Sequence, residues 1–371
     1  AALLAKWLPM FFVPGLALLP LAPSVGGNLE IVKVLGVVVL GLLYSILTVS
    51  STVMFFRGGS LKFGGSVAKV VKAGKNVKST VAPKPFTEQQ MKLFGFATAV
   101  AAVLMVFFNK SDFGKFFETS FLTFFTVAGY MWAARLPSSY VKVVHPLVTT
   151  CVMILGLVKV LSVVSNRDFY AILRAYKVGS LDLKKAGSGD ILLFLLGPSA
   201  VSFALGMYSK RTLLQQNLVT ILTAVLVSSV GGLYGTAAFV RLISLGGTFG
   251  AGIIRLSMLS RNVTTALALP LTAMIGGDLA LAAAVVCMTG VIGATYGKAF
   301  LAYFGITDPV TRGLAIGSSA QGLGVASMSD ESDAFPFAAI AMVLTAVTST
   351  TLVSFPLVKN SLVQLATGSK I

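Results

Sequence analysis

The sequence predicts an all-α, polytopic membrane protein with about 10 to 12 transmembrane or re-entrant helices, and an internal repeat with broken helices in its C-terminal region. Three observations carry this prediction. Hydrophobic residues fill 56% of the 371 positions and charged residues only 11%, with a mean hydropathy of +0.90; a soluble domain has roughly 25% charged residues. Apolar runs at 29–56, 213–240, 278–303 and 334–358 are long enough to cross a bilayer, which takes about 20 helical residues. Two short motifs recur in the same order at nearly one offset. The runs are continuous, whereas a transmembrane barrel alternates apolar and polar residues along strands of roughly ten.

The first region is 1–57. Its stretch KWLPMFFVPGLALLPLAP carries Pro9, Pro14, Pro20 and Pro23. Proline removes a backbone donor and clashes with the preceding turn, so 3–23 is expected to be kinked or re-entrant. A clear span follows at 29–56. The chain opens AALLAKWLPM, without an initiator Met or a charged presequence, and reads as a mature or trimmed form.

The second region, 58–91, is a basic linker rich in Gly, Lys, Ser and Pro. Arg57, Lys62, Lys69, Lys72, Lys75, Lys78, Lys84 and Lys92 face a single acid, Glu88. The positive-inside tendency puts this linker on the cytoplasmic, stromal or matrix side. Residues 67–78 are a candidate for contact with anionic lipid headgroups; a solvated tether is the other reading.

The third region is 92–371. Weaker or interrupted spans lie at 92–108, 118–135, 144–163, 190–208, 248–275 and 309–328. Within it, Val148-Thr149-Thr150 is echoed by Val263-Thr264-Thr265, 115 positions on, and GPSA from Gly197 by GSSA from Gly317, 120 positions on. An internal duplication follows, with repeats at about 92–212 and 213–358. Whether the halves are inverted or parallel stays open.

Several chemistries are excluded. Cys151 and Cys287 give no disulfide framework or zinc site, and the single His145 gives no His-rich one. No Walker A loop, GxSxG elbow or dinucleotide fingerprint occurs. No cofactor and no enzymatic activity are therefore expected. The net charge of +17 sits in loops without the aromatic interleaving of a single-strand binder, so nucleic acid is not an expected partner. Membrane lipid is. Homo-oligomerisation is left open.

The stretch GLAIGSSAQGLGVASM, 313–328, has four glycines and three serines in sixteen positions. A broken helix leaves backbone groups unpaired, which hydrocarbon tolerates only where protein, water or ligand satisfies them. Gly317, Ser318, Ser319 and Gln321, with Ser199 of the first repeat, are therefore candidate substrate-binding residues. The competing reading is helix packing through small residues four apart, Gly313/Gly317 and Gly293/Gly297. In SRNVTTALALP, 260–270, Arg261 and Asn262 precede Thr264 and Thr265 in an apolar zone. An intramembrane cation is a functional-site hypothesis, and a guanidinium suits a carboxylate; the alternative is an Arg261 that snorkels to the headgroups. Asp190 and Asp278 read as helix N-terminal residues or protonatable groups, SDESD at 329–333 as a solvated loop, and His145 as a helix start or a proton relay.

At this point a resemblance appears. GSGDILLFLLGPSAVSFALGMYSKR (187–211), the VTT segment with a basic residue two places before its Val, and DPVTRGLAIGSSAQGLGVASM (308–328) resemble the LrgB/CidB family of membrane proteins. FFVPGLALLP (11–20) resembles the end of the partner LrgA/CidA family. The likeness is fullest over 187–358 and thinner over 92–186. A fusion of the two resembles plastidal members of plants and algae. That resemblance implies a multi-pass carrier of the chloroplast inner envelope, exporting glycolate and importing glycerate in photorespiration by alternating access. A holin-like pore for small monocarboxylates is the alternative. It also implies that residues 1–57 are an LrgA-like region lacking some N-terminal helices. Where the bacterial family often has a His, this chain has Gln321, which implies hydrogen bonding to a hydroxy acid rather than direct proton handling. The carboxylate would sit on Arg261 or the GxSA half-helix ends, with Thr264, Thr265, Ser319 and Gln321 reading the hydroxyls.

Overall fold

The computed structural model describes residues 7–22, 24–58, 85–108, 111, 113–182, 185–247 and 251–368. The linker expected at 58–91 lies mostly outside them. All regular elements among the described residues are helical. Those of seven residues or more are α1 (Asn28–Phe56), α2 (Glu88–Phe107), α3 (Gly114–Ala134), α4 (Pro146–Ser165), α5 (Phe169–Tyr176), α6 (Ser188–Phe194), α7 (Leu196–Ser209), α8 (Leu218–Leu242), α9 (Ala251–Ser257), α10 (Thr265–Ile275), α11 (Leu279–Tyr303), α12 (Pro309–Ser327), α13 (Phe335–Ser354) and α14 (Pro356–Thr367). Six of them, α1, α2, α4, α8, α11 and α13, are long and apolar enough to cross a membrane. The chain is a multi-pass helical membrane protein.

Helix ends follow local chemistry. Thr87 makes a capping box with Gln90 at the start of α2. Asp168, Asp278 and Asp308 cap α5, α11 and α12 by accepting from Ala171, Leu281 and Thr311 amides. The run expected at 334–358 is cut in two. Pro356 pushes Phe355 out of the helical region, so α13 ends and α14 begins. Residues 8–21 form two short 3-10 turns around Val13–Ala17, the kinked segment that the prolines predict.

The chain divides into two compact units, each discontinuous in sequence. One comprises residues 2–21 and 79–202. Here the proline-rich segment packs on α3, α4 and α6. Asp190 is buried, and its carboxylate accepts from the amides of Val178, Gly179 and Gly187. The GSGD motif thus locks the loop between α5 and α6. Arg167 and Glu118 make a bidentate pair, tying the turn after α4 to α3. The ring of His145 caps α4, its Nδ1 accepting from the Leu147 amide. That nitrogen is committed to the helix end, the helix-start reading of this residue.

The other unit comprises residues 22–78 and 203–371, with α1 and α8–α14. Lipid tails are as apolar as leucine, so close backbone approach, not hydrophobicity, holds such helices together. Gly313 and Gly317 on α12 lie against the backbone of α13: a Cβ at these positions would fall 2.2 and 2.1 Å from the carbonyl oxygens of Ala334 and Ala338. Gly293 and Gly297 of α11 receive side chains instead, those of Ala320 and Ile316 of α12. The packing reading of these glycines is the one the geometry follows. Two polar clusters mark the ends of the unit. At one end Arg57 reaches Asn217 and Asp308, Arg312 and Glu331 form a bidentate pair, and Lys298 and Lys210 pair with Asp330 and Asp333. The SDESD loop is therefore an ion-paired surface rather than a merely solvated one. At the other end Glu30 accepts from Lys33 and from the Gly246 amide, and Arg255 donates to the carbonyls of Leu245 and Ala366.

Candidate substrate site

Neither α12 nor the pair α9–α10 crosses the unit. A straight helix of α12's 19 residues is about 28 Å long. Yet Arg312, in its first turn, pairs at 2.6 Å with Glu331, four residues beyond its last. Gly324 also packs on Ile316. The chain runs inward over 309–320, turns at Gln321 and runs back. Gln321 has φ 52° and ψ −145°, a conformation that is otherwise almost confined to glycine. The break expected in GLAIGSSAQGLGVASM is this tip. α9 and α10 make a second hairpin from the opposite end. The Asp278 amide donates to Ser257 Oγ, and the hydroxyls of Ser260 and Thr272 lie 2.9 Å apart. Its tip is 261–265.

The two tips meet. The Gln321 side-chain amide donates to the Arg261 carbonyl. Ser228 of α8 joins them again: its hydroxyl donates to the Ser318 carbonyl at 3.3 Å, and its carbonyl accepts from Asn262 at 3.5 Å. Arg261 is 1% exposed, which excludes the snorkelling alternative. Its guanidinium donates to Thr236 Oγ1 on α8 and Ser45 Oγ on α1, both at 3.0 Å, and Nη1 has no partner. These partners are neutral hydroxyls, not a carboxylate. Gly41 makes the seat possible, since a Cβ there would lie 2.6 Å from the guanidinium carbon. A buried cation without a counter-charge is costly, and this one has a free donor. The unpartnered buried oxygens of Asn262, Thr265, Ser319, Thr345 and Ser349 lie on the tips and on α13.

The structure brings Arg261, Asn262 and Gln321 together where the tips meet. Ser318 is on the same tip, but its hydroxyl back-bonds to the Leu314 carbonyl. Thr264 is the half-buried residue before α10, and Thr265 is the first residue of that helix. Gly317 faces α13, as described, and serves packing. Ser199 belongs to the other unit, where its hydroxyl donates to the Leu195 carbonyl. The matched motifs take different local structures: Val148–Thr150 lies in the first turns of the continuous α4, while Val263–Thr265 forms a hairpin tip. The α6–α7 break falls at Leu195, before Gly197, whereas the break in α12 falls after Gly317. Sequence reasoning missed Ser45, Thr236, Ser228, Thr345 and Ser349. Their only signal is a hydroxyl within an apolar helix, which also fits a back-bonded residue.

A comparison with known families matches residues 126–358 to the LrgB-like family, well over half of the chain. This chain belongs to the LrgB-like family. The match covers both hairpins, Arg261 and the Asp190 lock. It does not reach α1, whose Ser45 and Gly41 seat the LrgB-like arginine. Among curated proteins, plastidal glycolate/glycerate translocator 1, chloroplastic, of Arabidopsis thaliana is 35% identical over 368 residues, covering 96% of this chain and 67% of that protein. No solved structure matches.

Proposed function

We propose that this LrgB-like protein is a secondary transporter that exchanges small 2-hydroxy monocarboxylates, glycolate outward and glycerate inward, across the chloroplast inner envelope by alternating access. The observation that carries the reading is Arg261: a buried guanidinium with a free Nη1 and no acidic partner, held where two re-entrant hairpins from opposite ends meet. The substrate class comes from the name of the plant relative. The carboxylate takes the guanidinium, and the unpartnered oxygens of Asn262, Thr265 and Ser319 suit the hydroxyls. Hairpins from opposite ends, touching through a few hydrogen bonds, are thin barriers of the kind alternating access needs. Residues 1–57 are assigned as the LrgA-like region, 58–91 as the linker and 92–371 as the transport domain of two repeats. The linker leaves from the end marked by Arg57, which is therefore assigned to the stroma.

The test is exchange of labelled glycolate in proteoliposomes with and without internal glycerate. Saturable uptake stimulated by internal glycerate is the expected result. Flux that never saturates and ignores the internal anion overturns exchange in favour of a pore. A charge-assisted bond contributes about 1.5–3 kcal/mol, roughly tenfold to a hundredfold in affinity. Arg261→Ala should raise half-saturation by that factor at matched amounts of folded protein. Arg261→Lys should recover only part, because a point charge replaces a planar fork. Wild-type half-saturation and rate in Arg261→Ala would remove Arg261 from the site.

A further inference from the structure

Arg261 also lies at the floor of a crevice on the side of α1 and α8. A cavity of about 310 Å³ lies between α1 and α8, lined by Val37, Leu40, Gly41, Tyr44, Gly235, Thr236, Phe239 and Arg261. Arg261 alone among these is charged. Leu40 and Tyr44 are about half exposed, at 53% and 44%, and form the mouth, while Arg261 and Thr236 are buried at the floor. Two glycines set its floor and wall: the guanidinium of Arg261 lies on the bare face of Gly41, and the Tyr44 ring on that of Gly235.

Polarity and size both argue against glycolate or glycerate as the only occupant. The volume equals about ten waters at ~30 Å³ each, several times what a two- or three-carbon acid displaces. Apart from the hydroxyls of Tyr44 and Thr236, its walls are aliphatic and aromatic, and offer few partners to the hydroxyls of a hydroxy acid. They suit a ligand with one anionic end and one apolar end. We propose that the α1–α8 crevice binds aliphatic monocarboxylates of about four to eight carbons, carboxylate on Arg261 and tail along Val37, Leu40, Tyr44 and Phe239. This deepens the transport reading, since it rests on Arg261 as an anion anchor. It adds a ligand class that would compete with hydroxy acids for the same guanidinium.

The experiment is calorimetric titration of the whole protein in lipid nanodiscs with acetate, butanoate, hexanoate, octanoate and neutral 1-octanol, with empty nanodiscs subtracted and glycolate titrated alongside. Each buried methylene is worth ~0.8 kcal/mol, or about fourfold in affinity. Affinity should rise by about that factor per methylene through the series. Arg261→Gln should lower the affinity of every carboxylate in the series about tenfold or more. Leu40→Trp, which plugs the mouth, should flatten the ratio of octanoate to butanoate. Equal binding of 1-octanol, or an unchanged series in Arg261→Gln, would mean apolar partition and overturn the proposal. A flat series with glycolate still bound overturns the crevice while leaving the transport reading intact. Failure of every carboxylate, glycolate included, overturns both.

Discussion

At the scale of single residues, the site depends on two that break ordinary rules. Arg261 is a buried cation with neutral partners. Gln321 is a bulky residue at φ 52°, ψ −145°. Holding such a backbone costs about 1–3 kcal/mol, and the bond from its amide to the Arg261 carbonyl returns about 0.5–1.5 kcal/mol. Gln321→Gly relieves the strain and loses the bond, whereas Gln321→Ala keeps the strain and loses the bond. Thermal unfolding in detergent should therefore rank glycine above alanine by about 1–2 kcal/mol, the reverse of the usual order inside a helix. Alanine at or above glycine would mean that the tip is not held in this conformation.

At the scale of elements, the two GxSA segments are alike in letters and unlike in surroundings. Gly317 lies against the α13 backbone, which cannot give way as a side chain can, whereas nothing lies within 4 Å of a Cβ built on Gly197. Gly317→Ala should destabilise by about 1–3 kcal/mol, the range of overpacking. Gly197→Ala, inside α7, should be neutral or stabilising by about 0.5–1 kcal/mol. Melting temperatures of the two variants check this, and equal effects would contradict the close α12–α13 contact. The sequence offered packing and ligand binding as rival readings of one motif. The structure divides them along the helix: glycines pack on α13, and Gln321, a few residues on, turns the chain.

At the scale of the whole molecule, the unit of α1 and α8–α14 has two ends, with Arg57, Asp308 and Glu331 at one and Glu30, Gly246 and Arg255 at the other. α1 joins them over its 29 residues, about 43 Å at 1.5 Å each. Ser329 and Ser244 are exposed at opposite ends, and Cys151 and Cys287 are buried. An impermeant thiol reagent should therefore label Ser329→Cys and Ser244→Cys from opposite faces of a sealed vesicle, over a low native background. Labelling from one face would refute the re-entrant path of α12, because a crossing α12 would carry Ser329 to the far side.

What the sequence determined by itself was the solvent and the alphabet of elements. Apolar runs near 20 residues admit only helices in lipid, and the prolines and the glycine-serine stretch mark where those helices stop. It also marked Arg261 and Gln321 as anomalies, because a cation or a polar break in an apolar zone is legible without coordinates. The tertiary structure alone decided that α12 turns back, that the hairpin tips come from opposite ends, and that Ser45 of α1 is Arg261's partner across 216 positions. The physical reason is that helix formation depends on neighbours a turn away, while a buried guanidinium is settled by whatever hydroxyls and empty glycine faces packing brings to it. Ser45, Thr236 and Ser228 look, along the chain, like any hydroxyl in a membrane helix. Only the packed unit distinguishes those that hold the arginine from those that merely bond to their own backbone.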